Sequence, residues 1–212
     1  MKKIADGFLF VLEGIDGSGK STLLKRLVSY LQAEGYDVLA TKEPGGTPLG
    51  KEIRHLVQES KVNQAPEAEF LLFAADRADH IQKVVQPSLE KGMFVISDRM
   101  ADSSLAYQGY GRGLDKEMIQ SINNWVMGGI VPDLILYIKI DLKTAWQRIH
   151  ARGQVLTNIE QEKKDFFERV MHGFDTIFAD KKNGVIIDGT LGQDALFEEV
   201  LKVILDKLQK IS

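Results

Sequence analysis

Cysteine is absent from this 212-residue chain. That excludes a disulfide framework, a thiolate metal site and a cysteine nucleophile. No apolar run approaches the roughly 18 to 20 residues needed to cross a bilayer. The opening stretch, Met1-Lys2-Lys3-Ile4-Ala5-Asp6-Gly7, is basic, but it lacks the longer apolar segment and small-residue cleavage site of a secretory signal. The cytoplasm is therefore the expected compartment. Excess positive charge is missing too: the formal net charge is −3, which argues against a surface that coats nucleic acid. An anionic substrate would need arginines gathered locally. With no internal repeat, linker or low-complexity segment, residues 1–212 are expected to form one domain.

What is present starts with Glu13-Gly14-Ile15-Asp16-Gly17-Ser18-Gly19-Lys20-Ser21-Thr22. Gly14 to Ser21 spell G-x-x-x-x-G-K-S, the phosphate-cradling P-loop. Its glycines let the backbone curl so that successive N–H groups point at an anion. Lys20 brings a mobile positive charge to the outer phosphates, and the Ser21 hydroxyl can ligate Mg²⁺. A Gly-rich turn would spell the same letters, so context decides. Residues 8–12 read as a buried strand. After the loop, Leu23, Leu24, Leu27, Val28 and Leu31 share one helical face, which aims a helix N-terminus at the phosphates. The stretch is read as a nucleotide-phosphate site.

Further strands are expected at 36–41, 93–97, 134–138 and 185–188. Helices are expected at 49–59, from Pro66 onward, at 115–127 and 142–151, resuming at Ile159, and at 194–208. This alternation predicts an α/β fold: a doubly wound, five-stranded parallel sheet in three layers. The loop at 42–48 combines two prolines with two glycines at the carboxyl end of a strand, where α/β proteins bind ligands. On the short helix after it, Ile53, Leu56 and Val57 point inward and Arg54 lies on another face. Phe70, Phe73, Ala74 and Arg77 share a face; core packing of Phe73 beside a salt-bridged Arg77 competes with a binding role. His80 reads as a structural histidine, and Pro87 as a break or kink. Asp98 at a strand end suits a Walker B carboxylate, with Mg²⁺ above it, and Arg99 beside it suits a phosphate clamp. The segment 100–113, dense in hydroxyls, an amide and glycines, suits base reading or a plain polar connection. Met118, Ile119, Ile122, Trp125 and Val126 form an apolar face for core packing and for a second subunit. Arg148 and Arg152, four residues apart beside a break at 153–158, form a candidate lid at about 148–160.

The P-loop alone leaves the reaction open. Neither the Asn-Lys-x-Asp element nor the Asp-x-x-Gly switch of signalling GTPases occurs, and Arg99 occupies the place of the catalytic glutamate of remodelling ATPases. Gathered arginines suit a nucleoside-phosphate kinase, where two polyanions must meet and charge on the phosphoryl group in flight must be stabilised.

The P-loop joins Glu43-Pro44-Gly45-Gly46-Thr47, Phe73-Ala74-Ala75-Asp76-Arg77-Ala78-Asp79-His80 and Asp98-Arg99. Asp102-Ser103-Ser104-Leu105-Ala106-Tyr107-Gln108-Gly109 follows, and Ala151-Arg152-Gly153 and Ile159-Glu160-Gln161-Glu162 bound the lid. Together they resemble the bacterial thymidylate kinase (dTMP kinase) family over essentially the whole chain. The resemblance implies a P-loop kinase fold with a short arginine-bearing lid, a homodimer, and transfer of the γ-phosphoryl of ATP to dTMP for dTTP synthesis. It implies that Lys20 and the amides of residues 14–22 hold ATP, and that Ser21 and Asp98 position Mg²⁺. Phe73 would stack on thymine and Arg77 would bond a base carbonyl. Ser103, Ser104 and Gln108 would line the base pocket, and Arg54 and Arg99 would bind the dTMP phosphate. Asp16 and Glu43 would sit by sugar and phosphates, Tyr107 would crowd the 2′ position, and Arg148 and Arg152 would close over ATP. Three positions depart from the family pattern: Lys42 and Asn158 replace frequent arginines, and Gly17 stands where some members are basic. The lid arginines are therefore expected to carry the transition-state charge. The alternatives are a kinase of different base choice and a P-loop binding module without useful turnover.

Overall fold

The computed structural model describes residue 4 and residues 7–62, 64–153 and 155–209. Most of the basic N-terminal stretch, and Gln154 within the lid break, lie outside the described residues. The sheet is built from β1 (Phe8–Glu13), β2 (Val38–Lys42), β3 (Phe94–Asp98), β4 (Leu134–Lys139) and β5 (Gly184–Asp188). Its order is β2-β3-β1-β4-β5, and every pairing is parallel. The strands read as continuous apolar runs because both faces of such a sheet are covered by helices.

Alternation along β1 separates the two faces. Phe8, Phe10 and Leu12 point into a layer with α1 (Lys20–Ala33) and α9 (Gln193–Gln209), against Leu23, Leu27, Leu31, Val200 and Ile204. Leu9 and Val11 point the other way, toward Tyr107, Tyr137 and the Phe166, Phe167, Val170 and Phe174 face of α8 (Lys164–Phe178). Tyr137 and Phe174 stack with ring centroids 5.0 Å apart. Three layers result, and the expected α/β/α architecture is borne out.

Around this frame run α2 (Pro48–Gln58), α3 (Pro66–His80), α4 (Gln86–Leu89), α5 (Ala101–Ser104), α6 (Lys116–Met127) and α7 (Leu142–Ala151). Several expectations need correction. The break expected at Pro87 is a π-helical turn, Ile81–Val85, that joins α3 to α4; widening the spiral accommodates the missing N–H without ending the helix. Most of the polar segment 100–113 is helical, which its composition did not show: α5 continues into a second π-helical run, Leu105–Gly111. That run lies against α8, and two glycines permit the approach. A Cβ on Gly111 would meet the Phe166 ring at 2.7 Å, and one on Gly173 the Tyr110 ring at 2.7 Å. Residues 159–162 form a turn rather than a resumed helix, which begins at Lys164. Leu56 is 40% exposed rather than inward. On α6 only part of the apolar face is covered: Ile119 is buried, whereas Trp125 is 80% exposed.

Candidate active site

The carboxyl ends of β1, β2 and β3 open into a cleft of about 730 Å³, where ligand sites of open α/β sheets lie. The P-loop follows β1 at one end. Gly14, Gly17 and Gly19 all take positive φ, the conformations that only glycine adopts without strain. No side chain caps the N-terminus of α1, so its first N–H groups remain for an anion. Lys20 is folded back on the loop: Nζ donates to the carbonyls of Gly14 and Ile15, each at 2.9 Å, and to Ser18 Oγ at 3.3 Å. Burial, with the nearby Arg99 charge, lowers its pKa to about 8, so a bound polyanion would favour its charged form.

Arg99 is the hub of the middle. It adopts φ 75 although it is not glycine, a strained backbone that a site must over-determine. It is over-determined here. Nη1 donates to Gly14 O at 2.8 Å and Ser103 Oγ at 3.1 Å; Nη2 donates to Asp16 Oδ1 at 3.0 Å and Tyr107 Oη at 3.3 Å. Burial would raise Asp16, but Arg99 and Lys20 outweigh it and hold the carboxyl below its usual range. Below the hub, the buried Glu13 accepts from Met100 N–H at 2.9 Å and from Ser103 Oγ at 2.5 Å. Burial and the Asp102 charge push Glu13 up to about 7.

The far end holds Phe73, Arg77, Ser104 and Gln108. Arg77 is buried and clamped: Nε donates to Glu43 Oε2 at 2.8 Å, Nη1 to Asn123 Oδ1 at 2.6 Å, and Nη2 to Met100 O at 3.0 Å and Ser104 Oγ at 3.1 Å. Glu43 bonds His80 Nδ1 at 2.9 Å through its other oxygen, and His80 Nε2 meets Thr41 Oγ1 at 2.7 Å. His80 is therefore a satisfied structural histidine. Burial opposes the Glu43 charge, but Arg77 and His80 hold its pKa below the ordinary value. Arg54 lies beside the 42–48 loop, donating to Pro44 O at 3.1 Å.

Ser21 Oγ donates to Asp98 Oδ2 at 3.2 Å, giving two hard oxygen donors on the cleft wall. Among the described residues no cluster of three His, Cys, Asp or Glu could hold a metal by itself. That donor set suits Mg²⁺, which takes one or two protein oxygens and completes its shell with phosphate and water. Arg148 crosses behind the P-loop, donating to Gly17 O at 3.4 Å and Gly189 O at 2.9 Å. Arg152 pairs with Glu160.

Of the residues singled out in the sequence, Gly14, Ile15 and Ser18 are not on the cleft wall; the carbonyls of the first two anchor Lys20. Asp16, Gly17, Gly19, Lys20, Ser21, Thr22, Glu43, Arg54, Phe73, Arg77, Asp98, Arg99, Ser103, Ser104, Tyr107, Gln108, Arg148 and Arg152 all line it. Lys42 does too. Asn158 does not: its N–H and side-chain amide cap the carbonyls of Gln58 and Ser60, each at 2.9 Å, tying the lid to the end of α2. Nothing in the motifs points to Arg26, Thr190, Leu191, Gln193 and Leu196, which close the P-loop end of the cleft. For Thr190, Leu191, Gln193 and Leu196, their position after β5, at the carboxyl edge of the sheet, is the one signal that could have found them; Arg26 sits on α1, the helix that follows the P-loop.

A model of the family described as "Thymidylate kinase" matches residues 12–200. The chain is 41% identical to the thymidylate kinase of Halothermothrix orenii over 92% of its length and 94% of the relative's. It is 39% identical to that of an Exiguobacterium species, over 96% and 97% of the two chains. Against the thymidylate kinase of Alkalilimnicola ehrlichii the identity is 45%, covering 79% and 78%. With a P-loop, a buried Glu43–Arg77 clamp and Arg148 and Arg152 around one cleft, and matches of this length, the chain belongs to the thymidylate kinase family.

Proposed function

We propose that this chain transfers the γ-phosphoryl group of ATP to dTMP, giving ADP and dTDP. The observation that carries the reading is the single cleft with a phosphate-holding loop at one end and Phe73, Arg77 and Gln108 at the other. In this reading Lys20 and the amides of residues 16–22 hold the donor phosphates. Phe73 offers a face for the base, and Arg54 and Arg99 bring positive charge to the acceptor phosphate. Asp16, fixed on Arg99, orients that guanidinium, and Tyr107 fills space beside the sugar. The acceptor is already a phosphate oxygen, so no strong general base is required. Arg152 supplies positive charge to the transferring group, where preorganised donors are most effective. Ser21 and Asp98 would hold Mg²⁺, which when bound neutralises charge on the donor phosphates.

We also infer a homodimer formed across α3 and α6, which lie side by side. Leu71, Met118 and Trp125 are 54%, 60% and 80% exposed there, an apolar surface that a second copy would cover. Among the described residues no helix is long and apolar enough to cross a membrane, and a kinase acting on nucleotide pools belongs in the cytoplasm. A coupled assay for ADP with dTMP, dUMP, dCMP, AMP and thymidine as acceptors tests the central reading. ADP formation that requires Mg²⁺ and is fastest with dTMP is the expected result; a preference for another acceptor, or no dependence on any, refutes it.

A further inference from the structure

Glu69 belongs to none of the motifs above. It lies in the first turn of α3 and is only 6% exposed. Its Oε1 accepts from Gln108 Nε2 at 2.8 Å and from Arg112 Nε at 3.2 Å, and its Oε2 accepts from Arg112 Nη2 at 2.9 Å. Arg112 is itself held from two further sides. It pairs with Glu162, just past the lid, and its guanidinium lies 4.7 Å from the Phe166 ring centroid.

A carboxylate gripped by an arginine only accepts hydrogen bonds. Facing it, the Gln108 amide must turn its NH₂ group inward, which leaves the carbonyl oxygen for the cleft. No described residue donates to that oxygen, and it is not among the buried unpartnered atoms, so it reaches the cavity that Gln108 lines. Arg77 stands on the same wall with four of its N–H groups spent on Glu43, Asn123, Met100 and Ser104, and one on Nη1 remaining.

We propose that Glu69 is a positioning residue for base choice: clamped by Arg112, it sets the Gln108 amide so that a carbonyl acceptor stands beside the Arg77 donor. The inference rests on the dTMP reading and deepens it. An acceptor beside a donor complements the imide edge of thymine or uracil, with the C4 carbonyl toward Arg77 and N3–H toward Gln108. Cytosine reverses donor and acceptor at both positions, leaving buried groups unpaired, which is how polar sites reject near-isosteres.

The test is Glu69→Gln, which keeps the shape and removes the acceptor-only constraint. Dissociation constants for dTMP, dUMP and 5-methyl-dCMP are measured by calorimetry in both proteins, with ATP as control. The expected result is that dTMP and dUMP weaken together by on the order of 10-fold while 5-methyl-dCMP does not, so the preference for dTMP over 5-methyl-dCMP collapses. Equal weakening of all three ligands, the signature of a merely structural role, overturns the proposal, as does an unchanged preference. Should the variant fail to fold, the wild-type protein decides with the 3-deaza analogue of dTMP, in which C–H replaces the imide N–H. Binding weaker by on the order of 10-fold supports the proposal and equal binding overturns it. Wild-type protein that ignores dTMP refutes the kinase reading and this proposal with it; dTMP binding with an unmoved preference refutes this proposal alone.

Discussion

Arg148 donates to the carbonyls of Gly17 and Gly189, whereas Arg152, 43% exposed, meets the Glu160 carboxylate. The first is tied to backbone carbonyls around the P-loop, whereas the second holds a carboxylate at a half-exposed position on the cleft wall and is the one proposed to reach the transferring group. Arg152→Ala is therefore expected to lower kcat by on the order of 10² to 10³, measured with saturating ATP and dTMP; unchanged turnover would sink the assignment. Asp76 offers a prediction of another kind. It is fully buried, Oδ1 accepts from Gly45 N–H at 3.0 Å, and Oδ2 has no partner. Burial first, then the Glu43 charge, push its pKa up to about 6. A raised carboxylate pKa means the folded protein binds the proton more tightly than the unfolded chain, so stability falls as pH rises from the ordinary Asp range toward about 6. Asp76→Asn removes that cost. Urea unfolding is expected to show the variant more stable by about 1–2 kcal/mol near pH 7.5 and equal to the parent near pH 4. A deficit at both pH values would show that the Gly45 hydrogen bond needs the carboxylate.

The P-loop and α7 constrain each other. Gly17 has φ +80, and a Cβ there would stand 2.6 Å from the Ala145 carbonyl oxygen. In this conformation the loop passes too close to the α7 backbone to admit a side chain at Gly17 without moving. Gly17→Ala is expected to cost about 1–3 kcal/mol in thermal or urea unfolding and to raise KM for ATP, since the loop must move off α7. A variant with parental stability and parental KM would show that this contact is soft. The lid obeys a similar logic. Asn158 caps the end of α2 and so anchors the 148–160 segment there, and in the proposed reading the charge of that segment comes from Arg152.

At the scale of the molecule, the exposed apolar surface of α3 and α6 is the feature that a single chain leaves unexplained. Sedimentation at micromolar concentration is expected to give a dimer. Trp125→Asp combined with Leu71→Asp is expected to give a folded monomer, because a charge at each of two exposed positions opposes self-association without touching the core. A parent that sediments as monomer at every concentration would refute the interface.

Much of the fold and much of the site were legible in the residues themselves. Apolar runs at 8–12, 93–97 and 134–138 read as strands buried on both faces, and Gly14 to Ser21 admits few backbones because three of its residues need positive φ. Periodicity is a local signal, so it placed Phe73 and Arg77 on one helical face without showing what lies opposite. The tertiary structure decided the rest. It turned residues 101–111 into helix, because Gly111 and Gly173 let that run press against α8, a contact between segments about 60 residues apart. It joined Glu43, Arg77, His80 and Asn123 into one buried clamp, and brought Glu69 to Gln108. Sequence alone determined that residues 14–21 spell a P-loop, the basis for expecting phosphates there; only the fold decided which side chains face one another across the cleft, because pairing of buried polar groups depends on three-dimensional proximity rather than on spacing along the chain.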